Sequence, residues 1–85
     1  MEPVKDILNY IPQRHPMIMI DQIVDVTESG ITTKFLIHPE NIFYHNGYFR
    51  EPGIVENIAQ TAAARVGYVC ERENRNIPLG FIGAV

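Results

Sequence analysis

The residue of this chain best suited to chemistry is Glu56. It is the only carboxylate in a stretch from Pro52 to Val69 that is otherwise dominated by Ile, Val and Ala. Gln60 follows four residues later and would lie above Glu56 on the same face of a helix. Acids in apolar surroundings mark functional sites more often than chance, whereas the alternative is a partly exposed acid that the helix dipole favours near a helix start. We interpret Glu56 as functional.

Two features beside Glu56 predict the shape of its surroundings. Pro52-Gly53 predicts a sharp helix start, whose first backbone amides point outward at the positive end of the helix dipole and suit a polarised carbonyl oxygen. The run from Ala62 to Ala64 leaves room beside the helix, either for the wall of a tunnel or for close helix-sheet contact. Together they predict a narrow pocket with the Glu56 carboxylate at its entrance.

Length, charge and cysteine usage narrow the class of protein. The 85 residues allow one domain, 1–85, and the net charge of -3 comes with seven Lys and Arg scattered between Lys5 and Arg75. Without a basic stripe, a nucleic-acid partner is not expected. The single cysteine, Cys70, excludes an intramolecular disulfide and is compatible with a reducing cytoplasm, and the run from Met17 to Ile20 is too short to cross a membrane.

The hydrophobic pattern predicts an α+β order of elements. Turn signals at Glu28-Ser29-Gly30 separate two strand-like segments, and the apolar repeat after Pro52 has helical spacing. The predicted elements are a leading helix over 3–9, strands over 17–26 and 31–38, a packed loop over 39–51, a long helix over about 53–73 and a strand over 78–85.

The long helix is apolar almost all round, which predicts burial on most of its faces. Three strands offer only partial cover and leave hydrogen-bonding edges unpaired. We therefore expect further strands or a second chain, and a sequence that represents only part of a longer domain.

Several motifs occur in the order found in one known family. The segment Ile11-Pro12-Gln13-Arg14-His15-Pro16-Met17-Ile18-Met19-Ile20-Asp21 resembles the opening of the hotdog-fold 3-hydroxyacyl-[acyl carrier protein] dehydratases, which reads Leu-Pro-His-Arg-Tyr-Pro, then aliphatic residues and Asp. Pro52-Gly53 and Glu56-Asn57-Ile58-Ala59-Gln60 resemble the family's Pro-Gly turn and the Glu-x-x-Ala-Gln signature of its central helix. Gly80-Phe81-Ile82-Gly83 resembles the strand that follows. The similarity covers the family's N-terminal half or somewhat more.

The resemblance implies an incomplete hotdog fold, in which a long helix lies against an antiparallel sheet, and a set of site roles. Glu56 would be the catalytic carboxylate, and Gly53 would supply the backbone amide that holds the thioester carbonyl. The family's histidine base lies in a Gly-His-Phe segment, where this chain has Tyr48, so the base would be His45, Tyr48 or absent. Tyr48 would donate a hydrogen bond to the substrate or pack, and Gln60 would support Glu56 or bind the thioester chain.

The resemblance also implies a substrate and a state of assembly. The expected reaction removes water from a 3-hydroxyacyl thioester, carried by acyl carrier protein or coenzyme A, in fatty-acid or polyketide-like biosynthesis. The alternatives are a non-catalytic hotdog subunit that supports a partner dehydratase, and an acyl thioesterase. No cofactor is implied, and the spacing of His15, His38 and His45 predicts no metal site. A dimer, with another copy or another hotdog subunit, would complete the site.

Overall fold

The fold is built around one long helix that follows two short antiparallel hairpins. The computed structural model describes residues 1–75. Helix α1 has 22 residues and spans Glu51–Arg72. The α+β class predicted from the sequence is confirmed, and the strand predicted over 78–85 lies outside the described residues. The strands within residues 1–75 are β1 (Gln22–Val26), β2 (Ile31–Lys34), β3 (Tyr44–His45) and β4 (Tyr48–Phe49).

Local sequence signals explain both ends of α1. Arg50 is extended at the N-cap, and Pro52 occupies the first turn, where its missing N–H costs nothing. At the other end Asn74 adopts the left-handed conformation with φ of 55°. The N–H groups of Asn74 and Arg75 donate to the carbonyls of Glu71 and Cys70 at 3.2 and 2.8 Å, which is the Schellman stop signal.

The predicted first hairpin is confirmed, with shorter strands than the sequence indicated. Strands β1 and β2 pair antiparallel, with an irregularity in register between Ile23 and Asp25. The Thr33 and Thr61 hydroxyls lie 2.9 Å apart, which joins β2 to α1. The Arg65 guanidinium donates to the carbonyls of Thr27 and Glu28 in the turn, each at 2.8 Å.

The leading helix predicted over 3–9 is wrong for most of its length. Only Ile7–Asn9 form a short 3₁₀ turn. Val4 instead pairs with Ile23 of β1, and each N–H donates to the other's carbonyl at 2.8 Å. Backbone pairing with an available strand edge therefore overrides the helical spacing of the apolar residues in this segment.

The segment predicted as a packed loop over 39–51 contains a second hairpin. Asn46 and Gly47, with φ of 49° and 84°, form its two-residue turn between β3 and β4. An Asn-Gly turn whose two residues both have positive φ matches the twist of the strands it joins. The loop prediction missed this hairpin, although the Asn-Gly pair was visible in the sequence.

Within residues 1–75, α1 is buried on one face, and its burial on most faces, for which the sequence analysis expects further strands or a second chain, stays a prediction. Its buried residues are mostly small: Gly53, Gln60, Ala63, Ala64, Gly67 and Cys70. One of them, Ala64, belongs to a core that also contains Ile7, Tyr10, Ile11, Ile20 and Ile23. The larger side chains of Ile54, Val55 and Ile58 are 45%, 60% and 63% exposed.

Candidate functional site

The start of α1 is fixed by close contact with the second hairpin. A Cβ atom at Gly53 would lie 2.6 Å from the Phe49 ring and 2.8 Å from the Cβ of Phe43, so only glycine fits there. The Gly53 N–H donates to the carbonyl of Arg50 at 3.0 Å. A substrate carbonyl at this helix end would therefore have to share that N–H with Arg50.

Glu56 and Gln60 are hydrogen-bonded to each other one turn further along α1. The Nε2 of Gln60 donates to Oε1 of Glu56 at 2.9 Å and to the carbonyl of Met17 at 2.8 Å. The N–H of Met19 donates to Oε1 of Gln60 at 2.7 Å. Gln60 has no exposed surface within residues 1–75, whereas Glu56 is half-buried. Of the two roles left open for Gln60, support for Glu56 is therefore the one that these contacts favour.

Asn57 is a contributor that the sequence analysis missed. Its Nδ2 donates to the carbonyl of Met19 at 2.7 Å, so Asn57 and Gln60 both hold the segment from Met17 to Met19 against α1. The signal was present in the sequence, because two amide side chains three residues apart share a face of an otherwise apolar helix.

An open groove of about 470 Å³ lies beside Glu56. Residues from the start of the helix and from two loops form its wall: Met17, Phe43, Glu51, Pro52, Val55 and Glu56. The lining is largely apolar, with two carboxylates at the helix start. Such a groove suits an uncharged, largely apolar ligand that has one polar reacting group next to the Glu56 carboxylate.

His45 and Tyr48, the predicted base and its alternative, are cross-strand neighbours in the second hairpin. Both are exposed, and neither lines the groove beside Glu56. Side chains alternate along a strand, and Phe49, next to Tyr48, packs against Gly53. His45 and Tyr48 therefore share the hairpin face opposite the one that contacts the start of α1.

A second groove, of about 310 Å³, brings His15 and His38 to one lining with Asp21 and Glu40. Within residues 1–75, however, no three His, Cys, Asp or Glu side chains are arranged to hold a metal ion. The same part of the chain contains no helix with the length and hydropathy needed to cross a membrane.

A long helix laid against antiparallel strands, with a carboxylate held near its start, is the arrangement of a partial hotdog fold of the acyl-thioester dehydratase class. Residues 5–84 match the family model described as ApeP-like, ApeP dehydratase. The chain belongs to this family. The resemblance drawn from the sequence motifs is thereby confirmed.

Curated relatives carry the name 3-hydroxyacyl-[acyl-carrier-protein] dehydratase FabZ. The protein from Clostridium tetani is 36% identical over 73 residues, which cover 74% of this chain and 49% of the relative. Those from Oceanobacillus iheyensis and Bacillus cytotoxicus are 30% and 33% identical, with all of this chain aligned to 63% and 59% of their lengths. The chain thus spans about half to three-fifths of these relatives. No solved structure gives a significant match.

Proposed function

We propose that this chain acts in the dehydration of 3-hydroxyacyl thioesters carried by acyl carrier protein, in fatty-acid or polyketide-like biosynthesis in the cytoplasm. The observation that carries the proposal is the Glu56 carboxylate, held by Gln60 at a largely apolar groove beside the helix start. The dehydratase names of its relatives support the same reaction.

The reaction needs three events. A base removes a proton from C2, the C3–O bond breaks as the C2=C3 bond forms, and the departing hydroxyl takes up a proton to leave as water. We assign to Glu56 the protonation of the departing hydroxyl, and to His45 the removal of the proton from C2. The helix start at Gly53 stabilises the negative charge that develops on the thioester oxygen.

The hairpin geometry supports a site formed between two chains. His45 and Tyr48 lie on the face of the hairpin that points away from the start of α1, and His45 does not line the groove beside Glu56. We infer that His45 of one protomer serves Glu56 of another, either a second copy or another hotdog subunit. Tyr48 would then donate a hydrogen bond to the same substrate.

The test compares two equal substitutions on one helix. Glu56→Gln keeps the shape of the side chain but removes its acid, and it should lower kcat for formation of the enoyl thioester by about 100-fold or more. Glu71→Gln, near the far end of α1, should leave kcat within about threefold, because it is remote from the groove. Full-rate dehydration by Glu56→Gln would sink the assignment.

A second candidate function is a non-catalytic subunit that supports a partner dehydratase. One observation favours it: the position of the family's histidine is occupied by Tyr48 in this chain. A purified chain that dehydrates substrate as a homodimer, and loses the activity in His45→Ala, excludes this alternative. Release of free acid and thiol instead of an enoyl thioester would identify a thioesterase.

A further inference from the structure

The chain has three methionines, and the structure places them in three different environments. Met1 is 54% exposed, whereas Met19 has no exposed surface and belongs to the core. Met17 is half-buried and lines the groove beside Glu56. Met17 is therefore the methionine that is open both to solvent and to the groove.

Exposure determines which of these thioethers an oxidant can reach. Hydrogen peroxide oxidises methionine to the sulfoxide and is itself reduced to water. In this step a lone pair of the sulfur forms the S–O bond, the O–O bond breaks, and the released hydroxide takes up a proton. The sulfur of Met19 is enclosed and accepts a hydrogen bond from Nδ2 of Asn41 at 3.4 Å. Met17 lacks this enclosure, so it is the reactive one of the two.

Oxidation at Met17 changes the chemistry of the groove wall, because a sulfoxide oxygen is a polar acceptor. The other side chains that line the groove are either apolar or carboxylates, which only accept hydrogen bonds when ionised: Phe43, Glu51, Pro52, Val55 and Glu56. Among the described residues, this lining therefore offers the sulfoxide no side-chain donor, and water must solvate it. An apolar ligand would displace that water and leave the oxygen without a partner, which lowers the affinity.

We propose that Met17 is a site of oxidative modification, at which a peroxide converts the thioether to a sulfoxide and so lowers the affinity of the groove for an acyl chain. The modification is reversible, because methionine sulfoxide reductases restore the thioether. This inference rests on the proposed function, in which the acyl thioester binds at the groove beside Glu56.

The first experiment measures where oxygen is taken up. The 85-residue chain is treated with hydrogen peroxide, and tandem mass spectrometry of its peptides follows each methionine in the same reaction. Met17 should be oxidised at least about tenfold faster than Met19, which serves as the enclosed reference two residues away. Equal rates at Met17 and Met19 overturn the proposal.

The second experiment measures binding of the hexanoyl thioester of N-acetylcysteamine, which has no 3-hydroxyl group and cannot be dehydrated. After the peroxide is removed, the oxidised chain should bind this probe with a Kd about tenfold higher than before. The matched control is the double variant Met17→Leu, Leu36→Met, which moves the thioether to a position that is 63% exposed and outside the groove lining. Its Kd should not respond to peroxide, although it takes up oxygen and retains Cys70.

A repair step keeps the test decisive where the double variant does not fold. Treatment of the oxidised original chain with a methionine sulfoxide reductase should return its Kd to the starting value. A Kd that stays high after the sulfur of Met17 has been reduced overturns the proposal, because the loss then has another cause.

The outcomes distinguish this inference from the proposed function. If peroxide weakens binding in the original chain but not in the double variant, the inference stands even where the chain does not dehydrate a 3-hydroxyacyl thioester. If the chain dehydrates that substrate and binds the hexanoyl probe equally well with Met17 oxidised, the function stands and the inference fails. Equal loss of binding in both proteins, or no binding of the probe before oxidation, also overturns the inference.

Discussion

The two faces of α1 reverse the usual arrangement of an amphipathic helix. On the covered face the residues are small or polar, and Gly67 lies so close to the chain at Tyr10 that a Cβ would be 2.8 Å from its carbonyl oxygen. On the other face the large side chains of Ile54 and Ile58 are exposed in the described residues. Within residues 1–75, close approach of the backbones, rather than side-chain size, therefore determines which face of this helix is buried.

The largest effect is expected when one large side chain is shortened in the core beneath the covered face and another on the exposed face of α1. Ile23 is fully buried in the core beneath the covered face, and Ile23→Ala should lower the free energy of unfolding by about 2–5 kcal/mol through lost burial and a cavity. Ile58→Ala, on the exposed face, should change it by less than about 0.5 kcal/mol. Denaturant titration of both variants measures the difference, and equal losses would mean that the second face is covered in solution.

A pH titration probes the covered face through Tyr10, which packs against Tyr68 of α1. Burial, followed by the neighbouring Glu71 carboxylate, raises the pKa of Tyr10 from 10.0 to about 12. The Tyr10 phenol therefore loses its proton at a lower pH in the unfolded chain than in the folded one. As a result, Tyr10 leaves the free energy of unfolding unchanged below pH 10 and lowers it as the pH rises from about 10 to 12. By pH 12 the free energy of unfolding should have fallen by roughly 1–2 kcal/mol.

The control for this titration is Tyr10→Phe, which keeps the ring but has no group to ionise. The free energy of unfolding of Tyr10→Phe, followed from pH 9 to pH 12, should fall less steeply than that of the original chain. Parallel curves for the two proteins would mean that Tyr10 is not buried against α1 in solution.

The close approach of the backbones can be tested by a single methyl group. In Gly67→Ala the added Cβ meets backbone atoms of Tyr10, which cannot rotate away. Overpacking should exceed the gain in helix propensity and leave a net loss of about 1–2 kcal/mol in the free energy of unfolding. Gly30→Ala is the matched control, because a Cβ there meets nothing within 4 Å. A more stable Gly67→Ala would contradict the close contact.

Local signals predicted the parts of the fold that local chemistry determines. Pro52 and the helical repeat that follows it predicted α1, and the Glu28-Ser29-Gly30 turn predicted the first hairpin. The Asn46-Gly47 turn was equally readable and was missed. The leading helix could not be judged locally, because Val4 is paired with Ile23 from another part of the chain.

The candidate site also has one part that local sequence spacing predicted and another part that depends on the packing of distant segments. The face shared by Glu56 and Gln60 follows from helical spacing, and their hydrogen bond is present. The other partners of Gln60 lie 41 and 43 residues away in sequence, so their contacts depend on how the chain packs. The sequence pattern also could not predict which face of α1 is buried, because both faces carry aliphatic residues.

The smallest expected effect concerns the polar edge of the covered face, where Arg65 holds the first hairpin against α1. Its Nη2 donates to the carbonyls of Thr27 and Glu28, each at 2.8 Å, and its Nε donates to the carbonyl of Gly30 at 3.4 Å; the single nitrogen of a lysine ammonium cannot reproduce donation from two separate nitrogens. Arg65→Lys should therefore lower the free energy of unfolding by about 0.5–1.5 kcal/mol in denaturant titration. Arg75→Lys should cause no measurable loss, because Arg75 pairs only with the exposed Glu73 among the described residues. If the two variants prove equally stable, the hydrogen bonds of Arg65 add nothing to the attachment of the first hairpin to α1.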